Sequence, residues 1–184
     1  LAENPAVRKV ETAPMLRGLV TKINDQPAAE IGGDHWVLRG DRGISYADGL
    51  PEKTKITAGQ WWGAGYSGSP QISFAAEEAE EIGIGIGDQL TLNVLGRDIT
   101  ATITSLREVD FSTAGMGFVI LLNEAALKGA PHSHIATVYA EASAEIPILD
   151  ELNQAFPNVT GIQIREAAAL VTGVVSSIAS AASI

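Results

Sequence analysis

The sequence contains no cysteine and few positively charged residues. The absence of cysteine excludes a disulfide framework, thiol catalysis and cysteine-based zinc sites. Lysine and arginine number 12 against 22 aspartates and glutamates, which gives a formal net charge of −10. An acidic surface repels nucleic-acid phosphates and is not attracted to anionic lipid headgroups. We therefore predict that the protein has no nucleic-acid partner.

Neither end of the chain carries a typical targeting or anchoring signal. The first ten residues, LAENPAVRKV, lack a basic start followed by an apolar run, so we predict no signal peptide and expect a sequence cut from a longer one. Residues 167–184 carry no charge, but their serines make them polar for a membrane span. Two interpretations stay open for this segment: an Ala-rich helix packed on the domain, or a helix running toward a membrane segment.

The composition and the residue pattern predict an α+β fold. A length of 184 residues, with 46 % hydrophobic and 18 % charged residues, fits one globular domain or two small interlocked ones. Residues 50–122 are mostly strand-like with one helix. The C-terminal third predicts a strand at 134–139, a helix at 146–156, a strand at 159–164 and a final helix. We also expect short strands at 7–12, 16–23 and 36–39, and helical turns after NDQPAAE and at NEAALKGAP.

The most regular stretch is residues 81–106, EIGIGIGDQLTLNVLGRDITATITSL. Alternation of apolar and polar residues predicts a hairpin of strands 89–94 and 99–105, joined at LGRD. Upstream, Ser73 can cap a helix that begins near Phe74, and this helix would end at a left-handed Gly83 or Gly85. Its glutamates are expected on the solvent side, at Glu77, Glu78, Glu80 and Glu81.

The alternating glycines of this stretch do not predict a nucleotide site. A dinucleotide fingerprint needs a strand, then glycines, then a helix whose N-terminus meets the phosphates. Here the order is helix, glycines, strand, and no Gly-Lys-Ser or Gly-Lys-Thr follows. The sequence therefore predicts no nucleotide cofactor.

Three further motifs are weak. GYSGS, residues 65–69, misses the hydrolase elbow pattern at its last position. Arg39-Gly40-Asp41 matches an adhesion tripeptide but is better explained as a turn. PHSH places His132 and His134 two residues apart, where both could ligate a metal with His35 as a third ligand. We weigh a pair of histidines at a loop–strand junction above a metal site, and predict no catalytic or metal-binding residue.

The loop GQWWGAGYSGSP, residues 59–70, carries the most informative aromatic residues. Large aromatic side chains on loops are enriched at contact surfaces. Trp61, Trp62 and Tyr66 are therefore candidates for a partner surface. The alternative, that Trp61 or Trp62 folds back into the core, carries equal weight.

Several segments in order resemble one family. They are TAPMLRGLVTKIND, LRGDRGISYADGLPEKTKITAGQWW, GIGIGDQLTLNVLGRDITATITSLREVDFSTAGMGFVILLNEAAL and APHSHIATVYAE. Together they resemble the large extracytoplasmic loop of FtsX-like, MacB-like ABC transporter permeases of the YbbP-type branch. The resemblance spans residues 7–184, and its strongest part is the GDQLTLNVLGR core with the later SLREVDF.

This resemblance implies an architecture and a location. It implies an α/β porter-like part at residues 1–48 and 132–184, N-terminally incomplete, and an inserted β-rich sabre-like part at 49–131. The segment from Arg165 onward would return the chain to the membrane. The domain would lie on the periplasmic side of an inner (cytoplasmic) membrane protein. Phe111, within the segment that varies among relatives, is a further candidate for a partner surface.

The resemblance also implies a function without catalysis or a cofactor in the domain itself. A permease would couple ATP hydrolysis by a separate cytoplasmic ABC ATPase, reached through transmembrane segments, to export or mechanical work on an amphipathic substrate such as a lipid, lipoprotein or peptide. A second permease copy and a periplasmic protein are the expected further partners. The rival hypotheses are a free-standing periplasmic binding or adaptor protein, and a metallohydrolase that uses His132 and His134, with His35 as a third candidate.

Overall fold

The computed structural model describes residues 4–111 and 116–164, and these form a mixed sheet with short helices. The strands in chain order are β1 Val7–Ile23, β2 Gln26–Pro27, β3 Arg42–Ala47, β4 Ile56–Gly59, β5 Gln71–Ala75, β6 Gln89–Val94, β7 Arg97–Arg107, β8 Ile120–Asn123 and β9 Ser133–Ala140. The helices are α1 Ala28–Gly32, α2 Ala76–Ile82, α3 Glu124–Leu127 and α4 Glu145–Ala155. The predicted α+β class is confirmed.

Backbone contacts divide the chain into two compact units. The larger unit spans residues 12–136, and the smaller one combines the described residues up to Glu11 with those from Thr137 onward. Residues 12–48 therefore lie in the larger unit. The assignment of porter-like and sabre-like parts stays a prediction.

Six strands of the larger unit pair in a closed ring. Going round it, β1 pairs with β3, β3 with β8, β8 with β5, β5 with β7, β7 with β6, and β6 again with β1. The β3–β8 and β5–β7 pairs are parallel, and the other four are antiparallel. A ring of this kind leaves its own strands with few unpaired edges, and β2, β4 and β9 pair with ring strands from outside it.

The buried apolar side chains of these strands form one continuous core. Because side chains alternate along a strand, every second residue of the ring strands points inward. Ile44, Phe74, Leu90, Ile103 and Leu122 are all fully buried in this cluster. Helix α2 adds Ala79 and Ile82 to it. The fold of the larger unit therefore rests on a core that strands distant in sequence build together.

The smaller unit is held by hydrogen bonds between the chain around the start of β1 and the end of β9 with the residue that follows it. Arg8 Nη2 donates to the Ala140 carbonyl at 3.2 Å, and Glu141 N donates to the Ala6 carbonyl at 3.0 Å. Tyr139 Oη donates to Glu11 Oε2 at 3.0 Å. Burial and this carboxylate raise the pKa of Tyr139. The predicted helix at 146–156 is present as α4.

Local turn chemistry confirms two of the sequence predictions. Gly83 ends α2 in the left-handed conformation, with φ 81° and ψ 33°, and its N–H caps the Ala79 carbonyl. The β6–β7 hairpin turns at Leu95 and Gly96, which both have positive φ, as a tight two-residue hairpin turn requires. The residues that stop helices and reverse strands are thus readable from the sequence.

Other local predictions are wrong. Residues 36–39 form a turn and not a strand, and residues 159–164 form no strand. Ser73 lies buried inside β5 and caps nothing, because the strand continues to Ala75 before α2 begins. Glu78 is buried instead of solvent-exposed. The predicted strands at 7–12 and 16–23 are one strand, and the predicted final helix lies outside the described residues.

Candidate functional site

Residues 60–70, here called the indole loop, fold back over the outside of the strand ring. The ring of Trp62 is 5 % exposed and packs in a cluster with Phe118 and Leu121. Its Nε1 donates a hydrogen bond of 2.9 Å to the carbonyl of Ala47, at the end of β3. Trp62 therefore anchors the loop through both its apolar ring and its single polar atom.

Trp61 and Tyr66 lie beside this anchor and are only partly buried. The Trp61 and Trp62 ring centroids are 4.0 Å apart, with 33° between the ring planes. Trp61 Nε1 donates to the Asp48 carbonyl at 3.3 Å, and Tyr66 Oη donates to the Ser69 carbonyl at 3.1 Å. Because the polar atoms of these side chains are bonded within the protein, their aromatic faces are what they can offer to a ligand.

Asp48 closes the loop from the opposite side. Its Oδ1 accepts a hydrogen bond of 2.7 Å from the N–H of Gly65. Gly65 has a φ of 71°, in the left-handed region that a glycine adopts at little cost. The indole loop is thus fixed at both its aromatic and its glycine-rich part to residues 47 and 48.

Phe111 lies in a different place from the other three predicted surface aromatics. It packs edge-on against Trp36, with ring centroids 5.8 Å apart and an interplanar angle of 86°. Phe111 is 42 % exposed and Trp36 is 43 % exposed, and the Arg42 guanidinium lies 5.3 Å from the Trp36 ring centroid. The structure therefore brings Trp61, Trp62 and Tyr66 together and leaves Phe111 apart. A role in partner contact stays a prediction for all four.

A cleft of ≈ 550 Å³ opens between the indole loop and the strand ring. Its floor is the middle of β7, with Thr102, Ile103 and Thr104, and the first residue of β5, Gln71. One wall is the indole loop, and the other includes Ile86, which is 49 % exposed. The volume falls within the ~300–1,000 Å³ range of small-molecule sites.

The lining of the cleft is mostly apolar, with a few polar side chains, and carries no charge. None of its residues is an Asp, Glu, Lys, Arg or His. Among the described residues, the side chains of Gln60, Gln71 and Thr102 have no hydrogen-bond partner, whereas Thr104 Oγ1 lies 3.5 Å from the Ile72 carbonyl. The cleft thus offers amide and hydroxyl groups beside aromatic faces, which suits an uncharged ligand.

The cleft lies between two segments that both contact β7, one at Gly59 and the other at Gly87. Gly59 comes so close to β7 that a Cβ there would lie 2.2 Å from the Thr104 carbonyl oxygen and 2.8 Å from Ile86 Cδ1. Its φ of 72° also favours glycine. On the other side, Gly87 N donates to the Ile103 carbonyl at 2.9 Å. Glycines 59 and 87 therefore let both loops approach the floor closely and leave the gap between them open.

Buried charge lies elsewhere in the larger unit, at Arg107 and Glu78. Arg107, at the end of β7, is 3 % exposed, and burial lowers its pKa to about 10 while the Glu78 carboxylate opposes that shift. Its Nη2 donates to the carbonyls of Phe118 and Val119, so it holds the backbone that enters β8. Burial also raises the pKa of Glu78. These groups support the strand ring and do not line the cleft.

The histidines form no three-residue cluster. His132 Nε2 lies 3.2 Å from Tyr46 Oη, its Nδ1 lies 2.8 Å from the Ala130 carbonyl, and its ring centroid is 5.0 Å from that of His134. His35 instead contacts the carboxylate of Glu81 at 2.8 Å. In the described part of the chain, no group of three or more His, Asp or Glu side chains could hold a metal ion. That the domain is non-catalytic stays a prediction.

The polar residues of the cleft floor had no signal in the sequence that marked them as a site. Thr102 and Thr104 read as ordinary polar positions of an alternating strand, and Gln71 lies outside every predicted strand. Alternation with apolar residues identifies the two threonines as outward-facing, but only the strand pairing shows that the indole loop faces all three. Residue type drew attention to the aromatic side chains, and nothing in the sequence drew attention to the polar ones.

Comparison with known proteins relates the sequence to a transporter. No family model matches the chain. A curated relative, the uncharacterized ABC transporter permease YbbP of Escherichia coli (strain K12), is 26 % identical over 151 residues. The match covers 82 % of this chain and 18 % of the relative, so the chain spans less than a fifth of that protein's length. Among the described residues, no helix is both long and apolar enough to cross a membrane.

Proposed function

Because the sequence is distantly related to an ABC transporter permease, we propose that it is the extracytoplasmic domain of an FtsX-like, MacB-like permease. The observation that carries the proposal is the likeness to YbbP over 82 % of the chain. In such a protein the domain would couple ATP hydrolysis in the cytoplasm to export or mechanical work outside. A separate ABC ATPase would supply the hydrolysis, and the substrate would be amphipathic.

Two properties of the chain support a mechanical role over a chemical one. The lining of the candidate site holds no Asp, Glu, His or Lys side chain that could act as a general acid or base. The strand ring also gives the larger unit a closed, well-packed core. A rigid body on the outer side can follow the movement of membrane helices, as in hinge or shear transitions.

The sidedness of the domain can be tested in cells that make the full-length protein. The sequence here has no cysteine, so a single introduced thiol can be followed against the unsubstituted parent. We expect Ser67→Cys, in the exposed part of the indole loop, to react with a membrane-impermeant maleimide in intact spheroplasts. Ser73→Cys is the matched control, because the side chain at 73 is fully buried and should react only after denaturation. Labelling of Ser67→Cys only after lysis would overturn the extracytoplasmic placement.

The full-length protein, made with an affinity tag, tests the coupling to an ATPase. Purification from the membrane in mild detergent should bring down an ABC ATPase, and ATP hydrolysis by that complex should exceed that of the ATPase alone. Recovery of the protein without any ATPase, or in a form that is not bound to the membrane, would contradict a permease.

A further inference from the structure

We propose that the cleft beneath the indole loop binds an uncharged saccharide unit. The lining combines aromatic faces with amide and hydroxyl side chains and holds no charged group. A sugar ring has one face of C–H groups, which packs on an aromatic ring, and a rim of hydroxyls, which exchange hydrogen bonds with amides. The residues of the cleft match both halves of that chemistry.

The aromatic half of the site is fixed in place before any ligand binds. Trp61 is stacked on the buried Trp62, and its indole N–H is bonded to Asp48. Tyr66 is held through its hydroxyl by Ser69. A ligand therefore meets aromatic surfaces that need little ordering, which lowers the entropic cost of binding.

The polar half of the site is free to bond a ligand. Among the residues that the structure describes, the amides of Gln60 and Gln71 and the hydroxyl of Thr102 have no side-chain partner. Each amide can donate and accept at the same time, as neighbouring sugar hydroxyls do. Gln71 and Thr102 are register neighbours on β5 and β7, so they lie side by side on the floor.

A peptide or a lipid tail fits these contacts less well. The backbone groups on the floor are already paired: Gln60 N donates to the Thr104 carbonyl, and the N–H and carbonyl of Ile103 pair with Asp88 and Gly87. A peptide therefore finds no free strand edge there to extend. An acyl chain would cover the amides of the floor without replacing their bonds to water, which is costly. An anionic ligand would meet no cation in the lining.

The test measures tryptophan fluorescence in the full chain that carries the substitution Trp36→Ala. Trp36 lies outside the cleft, and its removal leaves Trp61 and Trp62 as the only tryptophans of the sequence. In this background we expect cellotetraose or chitotetraose, both neutral, to change the tryptophan fluorescence with saturation below about 10 mM. The anionic tetragalacturonate should bind at least about tenfold more weakly.

Variants of the cleft then identify the contacts. Gln71→Leu and Thr102→Val keep the shape and remove hydrogen-bonding groups, and each should weaken tetrasaccharide binding about three- to tenfold. Trp61→Ala should weaken binding about tenfold or more, and Trp61→Phe should restore most of it. Circular dichroism identifies any variant that does not fold, and Gln71→Leu and Thr102→Val then carry the test.

Two results would overturn the proposal. One is the absence of saturable binding by either neutral tetrasaccharide. The other is binding that Gln71→Leu, Thr102→Val and Trp61→Ala all leave unchanged. Saturation by a blocked uncharged pentapeptide would assign the cleft to a peptide instead. Saturation by dodecyl maltoside, but not by maltotetraose, would assign it to an acyl chain. Saccharide binding is independent of the membrane side and of an ATPase, so its failure is distinguishable from failure of the permease function.

Discussion

The strand ring and the indole loop are ordered by different kinds of interaction. Ring strands pair through their backbones around a core in which Phe74 and Leu90 are fully buried. The indole loop has no such ladder: only its ends, Gln60 and Pro70, bond the backbone of β7. Between them it depends on three bonds to residues 47 and 48 and on the buried ring of Trp62. Since the loop is anchored at the end of β3 and on β7, we expect that the loop can loosen while the ring stays folded, and not the reverse.

The largest effect on the free energy of unfolding is expected from a substitution inside the strand ring. Phe74→Ala removes a fully buried aromatic side chain and should lower the free energy of unfolding by about 3–5 kcal/mol. Urea denaturation followed by far-UV circular dichroism and by tryptophan fluorescence should show both regions lost together. Phe111→Ala, at an exposed aromatic, is the control and should cost about 1 kcal/mol or less. Equal losses in both variants would contradict the assignment of the core.

An intermediate effect on the free energy of unfolding is expected from a substitution in the indole loop. Trp62→Phe keeps an apolar ring but removes the N–H that bonds the Ala47 carbonyl, which should cost about 1 kcal/mol. Amide hydrogen exchange should become faster in residues 60–70 and stay unchanged in β6 and β7. Trp61→Phe removes a longer bond, 3.3 Å, and should have the smaller effect of the two. A loss as large as that of Phe74→Ala would mean that loop and ring unfold as one unit.

The smallest effect on stability is expected from removing the charge of Glu78, beside the strand ring. Burial, with help from the Glu77 and Glu81 carboxylates, raises the pKa of Glu78, so the folded protein binds this proton more tightly than the unfolded chain. Its ionisation therefore lowers stability as the pH rises through the raised folded pKa. We expect Glu78→Gln to be more stable than the parent near neutral pH, with the difference vanishing well below the ordinary glutamate pKa.

Thermal unfolding across that pH range measures this difference. Glu77→Gln, at an exposed neighbour on the same helix, is the matched control and should change stability little at any pH. A Glu78→Gln variant that is less stable near neutral pH would show that the carboxylate's attraction to Arg107 outweighs its cost of burial.

The sequence predicts those parts of the fold that depend on neighbouring residues. The β6–β7 hairpin follows from alternation and from a turn that Gly96 permits, and the end of α2 follows from Gly83. Helix α4 follows from its apolar face. In each case the signal and the structure lie within about ten residues of each other along the chain.

Features that depend on distant pairing were missed. Strand β3 begins at Arg42, inside the glycine-containing GDRG of residues 40–43, and is a strand because it lies between β1 and β8. Ser73 looked like a helix cap but belongs to a strand buried between β7 and β8. The cleft has the same origin, because Gln71 and Thr102 meet only through the β5–β7 register. Trp61, Trp62 and Tyr66 stand out in the sequence by residue type, but the polar residues on the floor of the cleft do not.

The closed strand ring has a consequence for how the larger unit bears load. An open sheet can be unzipped from its edge, one hydrogen bond at a time, whereas a ring offers no first strand from which to begin. Pulling the ring apart requires several backbone bonds to break at once, so the unit should be stiff along the direction of force. If the unit belongs to an ATP-driven permease, as proposed above, such a stiff body would pass on the displacement of the membrane helices and deform little itself.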